Sequence, residues 1–83
     1  MPRVVSVHAL GGFRLAIKFD DGTSGEVDLS TRLFGPMFEP LASDPDLFRR
    51  VFVDEFGAVS WPNGADLAPD ALYRQITGAP VGA

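Results

Sequence analysis

The segment from Phe13 to Phe19 constrains this chain more than any other. Phe13, Leu15, Ile17 and Phe19 alternate with Arg14, Ala16 and Lys18, the period-two pattern of a strand with one apolar face. A strand of this kind needs neighbours and a cover for that face. The residues that follow, Asp20-Asp21-Gly22, decide the pairing. A two-residue turn at Asp21-Gly22 would set Ile17 opposite Glu26 and put a carboxylate on the core face, because a one-residue slip reverses every side chain. A three-residue loop, Asp20-Asp21-Gly22, removes the conflict: a type I turn closed by a left-handed Gly22. That register sets Leu15 opposite Val27, Phe13 opposite Leu29 and Arg14 opposite Asp28, with Lys18 diagonal to Glu26. It predicts a strand from about Thr23 to Leu29. The exposed pairs are each worth about 0.2–1 kcal/mol.

Before this hairpin, Arg3 to Leu10 predicts another strand, with Val5, Val7 and Ala9 inward and Ser6 and His8 outward; Gly11-Gly12 turns the chain. After it, Ser30 to Phe34 predicts one helical turn capped by Asp28 or Ser30, stopped by Gly35-Pro36. Met37 to Leu41, bounded by prolines, predicts an ordered apolar loop over the core edge. Asp44-Pro45-Asp46 predicts a short helix to about Arg49: a cap, a proline at the first position and an acid at the positive end of the dipole. Arg50 to Asp54 and Ala58 to Trp61 predict two more strands. Ala68-Pro69-Asp70 repeats the helix-start chemistry, and Gly78 ends a helix that presents Leu72, Tyr73 and Ile76 on one face. The order is β-β-β-α-β-β-α, an α+β fold built on an antiparallel meander sheet. A single α+β domain is predicted over 1–78, with 79–83 as a flexible C-terminal tail.

Composition narrows the function. Eighty-three residues, 46% hydrophobic with seven Phe, suffice for one small core. There is no Cys, which removes disulfides, thiolate nucleophiles and cysteine-based zinc sites. The net charge is −4, the basic residues are scattered, and only Arg49-Arg50 are adjacent, so direct nucleic-acid binding is not expected. No apolar run approaches the ~20 residues of a membrane helix, and no signal region opens the chain. A cytoplasmic location and a basic protein partner fit this balance.

Candidate chemistry is sparse. His8 is the lone His and reads as a solvated strand residue rather than a general base. Asp66 and Asp70 are the nearest carboxylate pair, but Pro69 and the helix start break the spacing a metal site would use. Glu26 and Asp28 share a strand face with Arg14 and Lys18. No G-x-G-x-x-G or Walker pattern exists. The expectation is no catalytic residue, no metal and no cofactor. The segment Ser60-Trp61-Pro62-Asn63-Gly64-Ala65-Asp66 holds the candidate binding residues Trp61, Asn63 and Asp66, continued by Tyr73. Trp61 and Asp66 each have two readings. Trp61 is a core ring or a ligand stack. Asp66 is an Asx-type turn acceptor for the Ala68 N–H or a presented functional carboxylate.

Three segments carry a family resemblance: Phe19-Asp20-Asp21-Gly22 with Val27-Asp28-Leu29; Leu47-Phe48 with Val51-Phe52-Val53-Asp54; and the run from Val59 through Trp61-Pro62-Asn63-Gly64-Ala65-Asp66 to Tyr73. Over about Val4 to Tyr73 the chain resembles the bacterial domain of unknown function 2442 family. The resemblance implies a small α+β domain, bacterial and cytoplasmic, with no known activity and no catalytic residues to transfer. Some members look fused to a helix-turn-helix domain, for which this chain has no room. Genes of the family often neighbour those of domain of unknown function 4160, an arrangement that looks like a toxin–antitoxin pair with this family as the antitoxin. The expected function is therefore a non-enzymatic protein-interaction module, an antitoxin-like partner of a protein encoded nearby. The alternative is a ligand-sensing or regulatory accessory domain with a pocket near Trp61.

Overall fold

The structure, a computed structural model, describes residues 2–78; the tail expected at 79–83 lies outside the described residues. Among the described residues it is an α+β fold of two three-stranded antiparallel sheets and three short helices. The first sheet is a meander of β1 (Val4–Leu10), β2 (Arg14–Phe19) and β3 (Ser24–Asp28). The β2–β3 register is the one the face argument requires: Leu15 opposes Val27, Arg14 opposes Asp28 and Ile17 opposes Gly25. Phe19 N–H bonds Thr23 O at 2.8 Å around Asp20-Asp21-Gly22, and Gly22 takes φ +90°. The ion pair of Arg14 is diagonal, to Glu26 at 3.0 Å, because Asp28 turns away to accept the Ser30 N–H at 2.8 Å.

Two details of this sheet differ from the sequence pattern. In β1 the register shifts between Val4 and Ser6. This bulge throws Val5 outward, 54% exposed, and puts Val4 on the core face at 2%. Ser6 and His8 still face out. Phe13 is not in the strand: it closes the β1–β2 turn in the left-handed region, φ +61°. That conformation costs a side chain on the order of 1 kcal/mol. Two contacts offset it. The Phe13 ring meets Phe48 edge-on at 5.2 Å, and its carbonyl accepts the Leu29 N–H at 2.9 Å.

The connection from the first sheet is a turn, not a helical one, closed by Arg32 N–H to Leu29 O at 2.9 Å. The expected loop at Met37–Leu41 contains a helix, α1 (Glu39–Ser43). Pro40 lies in its first turn, where no intrahelical N–H is lost, and Leu41 drives it into the core at 0% exposure. Next, α2 (Pro45–Arg49) is capped as its sequence dictates: the Asp44 carboxylate accepts the N–H groups of Asp46 and Leu47.

The second sheet consists of β4 (Phe52–Val53), β5 (Val59–Ser60) and β6 (Asp66–Leu67), two residues each. The strands are shorter than their alternation suggested, because Arg50 and Val51 still donate to Leu47 and Phe48 at the end of α2. The third strand, β6, was not legible as one. It exists because the chain reverses at Pro62-Asn63-Gly64 and Trp61 N–H bonds Ala65 O at 2.9 Å, which lays Leu67 opposite Val59. The last helix, α3 (Pro69–Thr77), runs between Ala68 and a left-handed Gly78 as predicted. It packs on the first sheet where β3 lacks a side chain: a Cβ on Gly25 would lie 2.7 Å from Ile76 Cγ2. The core joins Leu15, Phe19, Val27 and Leu29 of the first sheet to Leu41, Phe48, Val59, Trp61 and Leu72.

Candidate functional site

Trp61 is a core residue. It is 2% exposed, its Nε1–H donates to Phe48 O at 2.9 Å, and its ring lies 5.9 Å from Phe48 and 6.4 Å from Phe38. No ring face is left for a ligand to stack on. Asn63, two residues on, does the turn chemistry expected of Asp66. Its Oδ1 accepts the Ala65 N–H at 3.1 Å, and its Nδ2 donates to Met37 O at 2.9 Å. The hairpin is thereby clamped to the Met37 segment, whose Cε sits 3.2 Å from where a Cβ on Gly64 would be.

Asp66 does not bond the Ala68 N–H. It lies in β6 opposite Ser60, and strand pairing turns its carboxylate outward, exposed. Ala68 caps α3 through backbone conformation alone. Tyr73 belongs elsewhere: its hydroxyl donates to Asp21 Oδ2 at 2.6 Å and its ring meets Phe19 edge-on at 4.9 Å. The four candidate residues therefore do not converge. Three share the Trp61 hairpin, and Tyr73 fastens α3 to the β2–β3 loop.

The acids whose titration is shifted all hold turns. Asp21 is lowered from the usual 3.8 chiefly by the Tyr73 hydroxyl, then by the Thr23 N–H. Asp28 is lowered by the Ser30 N–H. Asp54 is lowered first by the Ala58 N–H at 3.0 Å, with the Phe56 N–H and the Ser60 hydroxyl adding to it against partial burial. Hydrogen bonds to the charged form explain all three. Among the described residues, no group of three or more His, Cys, Asp or Glu side chains is placed to hold a metal ion.

The feature that sequence reasoning missed is a groove of about 320 Å³ lined by Leu29, Arg32, Leu33, Phe34, Phe38 and Leu67. It opens where the two sheets meet: Leu29 leaves β3, Leu67 belongs to β6, and Phe38 precedes α1. Leu29 forms a buried floor at 1% exposure. Phe34 at the rim is 73% exposed, and the neighbouring Met37 is 45% exposed. The Arg32 guanidinium donates through Nη1 to Gln75 Oε1 on α3. The available signal was Leu33-Phe34 and Met37-Phe38 flanking Gly35-Pro36, apolar pairs that fit neither strand nor helix periodicity.

Fold and site together define a small α+β domain of two antiparallel meanders, with an apolar groove at their seam. The chain belongs to a family: the model for Protein of unknown function (DUF2442) matches residues 4–78. No curated protein and no solved structure matches the chain. No helix among the described residues is long and apolar enough to cross a membrane.

Proposed function

We propose that this domain is a non-enzymatic protein-interaction module, an antitoxin-like cytoplasmic partner of a bacterial protein encoded nearby. The observation that carries the reading is the display of Phe34 and Met37. Both are exposed, at 73% and 45%, on a segment held in place by the Asn63–Met37 bond. Large apolar side chains fixed at the surface beside a groove are what a partner surface covers. The net charge of −4 would steer a basic partner towards it. Asn63 serves as the positioning residue of this surface and Trp61 as its support through Phe38.

The test is co-expression with the product of the adjacent gene, followed by size-exclusion chromatography and binding at two ionic strengths. A complex is expected, with association slowing as salt rises. Phe34→Ala is expected to weaken it by about 1–2 kcal/mol. Absence of a complex, together with substrate turnover by the isolated domain, would contradict the proposal. A second reading, a ligand-sensing accessory domain, is favoured by the groove itself, whose volume lies at the lower end of small-molecule clefts.

A further inference from the structure

We propose that the groove at the seam of the two sheets binds small amphiphilic monocarboxylates, with the apolar body on Leu29, Leu33, Phe38 and Leu67 and the carboxylate on Arg32. This goes beyond the interaction reading and needs no protein partner. The apolar part of the argument is the lining: five of the six lining residues are Leu or Phe. Leu29 is 1% exposed, while Leu33, Phe38 and Leu67 are half-buried, so an apolar ligand would remove further surface from water there. The polar part is Arg32. Its guanidinium is tethered at the groove by Gln75 Oε1 through Nη1. It has no carboxylate partner among the described residues, since the ion pairs use Arg14 with Glu26 and Arg49 with Asp46. One of its five N–H donors is used, and the planar fork still has donors to offer a carboxylate. A single positive charge in an apolar lining selects a monoanion. A more highly charged phosphate would lose more hydration than one guanidinium can replace. A neutral apolar molecule would leave the guanidinium's free donors unused.

The groove beside the β1–β2 turn, about 290 Å³ and lined by Gly11, Gly12, Phe13, Phe48 and Arg49 among others, provides an internal control. Its arginine is already paired with Asp46, so it should show no carboxylate preference.

The experiment is a methyl NMR titration of the full chain with octanoate, with octanamide as the uncharged isostere and with acetate as the charge without the body. Wild type and Arg32→Gln are compared; Arg32 is exposed, and the spectra themselves report folding. Octanoate is expected to shift the methyl groups of Leu29, Leu33 and Leu67, and acetate to shift none of them. Octanamide should bind about fivefold more weakly than octanoate, the scale of one exposed ion pair. In Arg32→Gln, octanoate should fall to the octanamide level. The proposal is overturned if octanoate and octanamide bind wild type equally, if Arg32→Gln leaves octanoate binding unchanged, or if the methyl groups lining the groove do not respond. Each of these outcomes leaves the interaction reading standing, and the absence of a protein complex leaves the titration untouched.

Discussion

The two sheets of this domain have the same number of strands and opposite construction. In the first, strands of five to seven residues pair along their length, and the alternating residues Leu15, Ile17, Phe19, Val27 and Leu29 share one face at 0–2% exposure. In the second, each strand has two residues, too few for pairing or alternation to hold it. What holds it is turn chemistry and one large ring. Its loops at Glu55-Phe56-Gly57 and Pro62-Asn63-Gly64 share a geometry: an N–H to C=O bond across three residues, with a left-handed glycine third. The Asp20-Asp21-Gly22 loop of the first sheet uses that geometry too, but there the strands supply most of the cohesion. The lesson is that equal topology can rest on distributed packing or on a few keyed positions, and the two respond differently to substitution.

Trp61→Ala would test the contrast most severely. It removes a ring buried to 2% and takes from Phe48 O the indole donor, leaving it the Val51 N–H alone at 3.3 Å. A loss of about 4 kcal/mol is expected in urea denaturation, a large part of what a domain of this size has. Ile17→Val in the first sheet should cost about 1 kcal/mol, because its neighbours still cover the face. Equal losses would break the comparison.

The loop glycines should differ in the same sense. Gly57 has φ +78°, and a Cβ there would lie 2.8 Å from Arg3 Cβ and 3.2 Å from Arg3 Cα. The loop is docked on the start of β1, where the Val4 N–H bonds Gly57 O at 2.9 Å. Gly57→Ala therefore combines backbone strain with a collision against Arg3 Cβ and a tight contact with Arg3 Cα, and about 3 kcal/mol is expected. Gly22 has φ +90° with open space around it, so Gly22→Ala should cost only about 1 kcal/mol. Thermal melts of the two variants side by side measure the difference.

Within the Trp61 hairpin, Asn63→Ala is expected to cost about 1 kcal/mol, since it removes two backbone partners. Asp66→Ala should stay within about 0.5 kcal/mol, as an exposed side chain without a partner does. A larger loss for Asp66 would return the turn role to it.

Acid should act on the turns before the strands. Asp21, Asp28 and Asp54 are lowered from 3.8 in the fold, so the folded state binds fewer protons than the unfolded one near those values. Their contribution is present above the unfolded pKa and is lost as pH falls through the lowered folded values. Asp54→Asn should flatten the acid limb of the stability–pH curve, which urea midpoints between neutral pH and about pH 3 would register.

How much of this was legible follows from the same contrast. The β2–β3 register could be read from the sequence, because a buried face penalises a register slip and so excludes the two-residue turn. The starts of α2 and α3 were legible through Asp44-Pro45 and Ala68-Pro69. The bulge at Val5 was not: Val4 and Val5 are equally apolar, and the bonds that fix Val4, its N–H to Gly57 O and the neighbouring Asp20 N–H to Arg3 O, are long-range. α1 is hidden in the sequence because prolines on both sides resemble breakers, whereas Pro40 sits in the first turn of the helix. β6 was hidden because Asp66-Leu67 is too short to show a period. The candidate site suffered most. The partners of Trp61 and Asn63, namely Phe48, Phe38 and Met37, lie 13 to 26 residues away, and no local pattern encodes such contacts. The groove depends on the seam of the sheets, so it appears only when both are assembled.

Native-state hydrogen exchange on Trp61→Phe measures the two constructions most directly. The substitution keeps an aromatic ring but removes the indole N–H that donates to Phe48 O. Protection is expected to fall at the Asp54 and Trp61 amides, which close the two loops of the second sheet. The Phe19 and Leu29 amides of the first sheet should open more rarely, through a separate unfolding unit. An equal fall at all four amides, or an earlier loss at Phe19 and Leu29, would contradict the difference in construction between the two sheets.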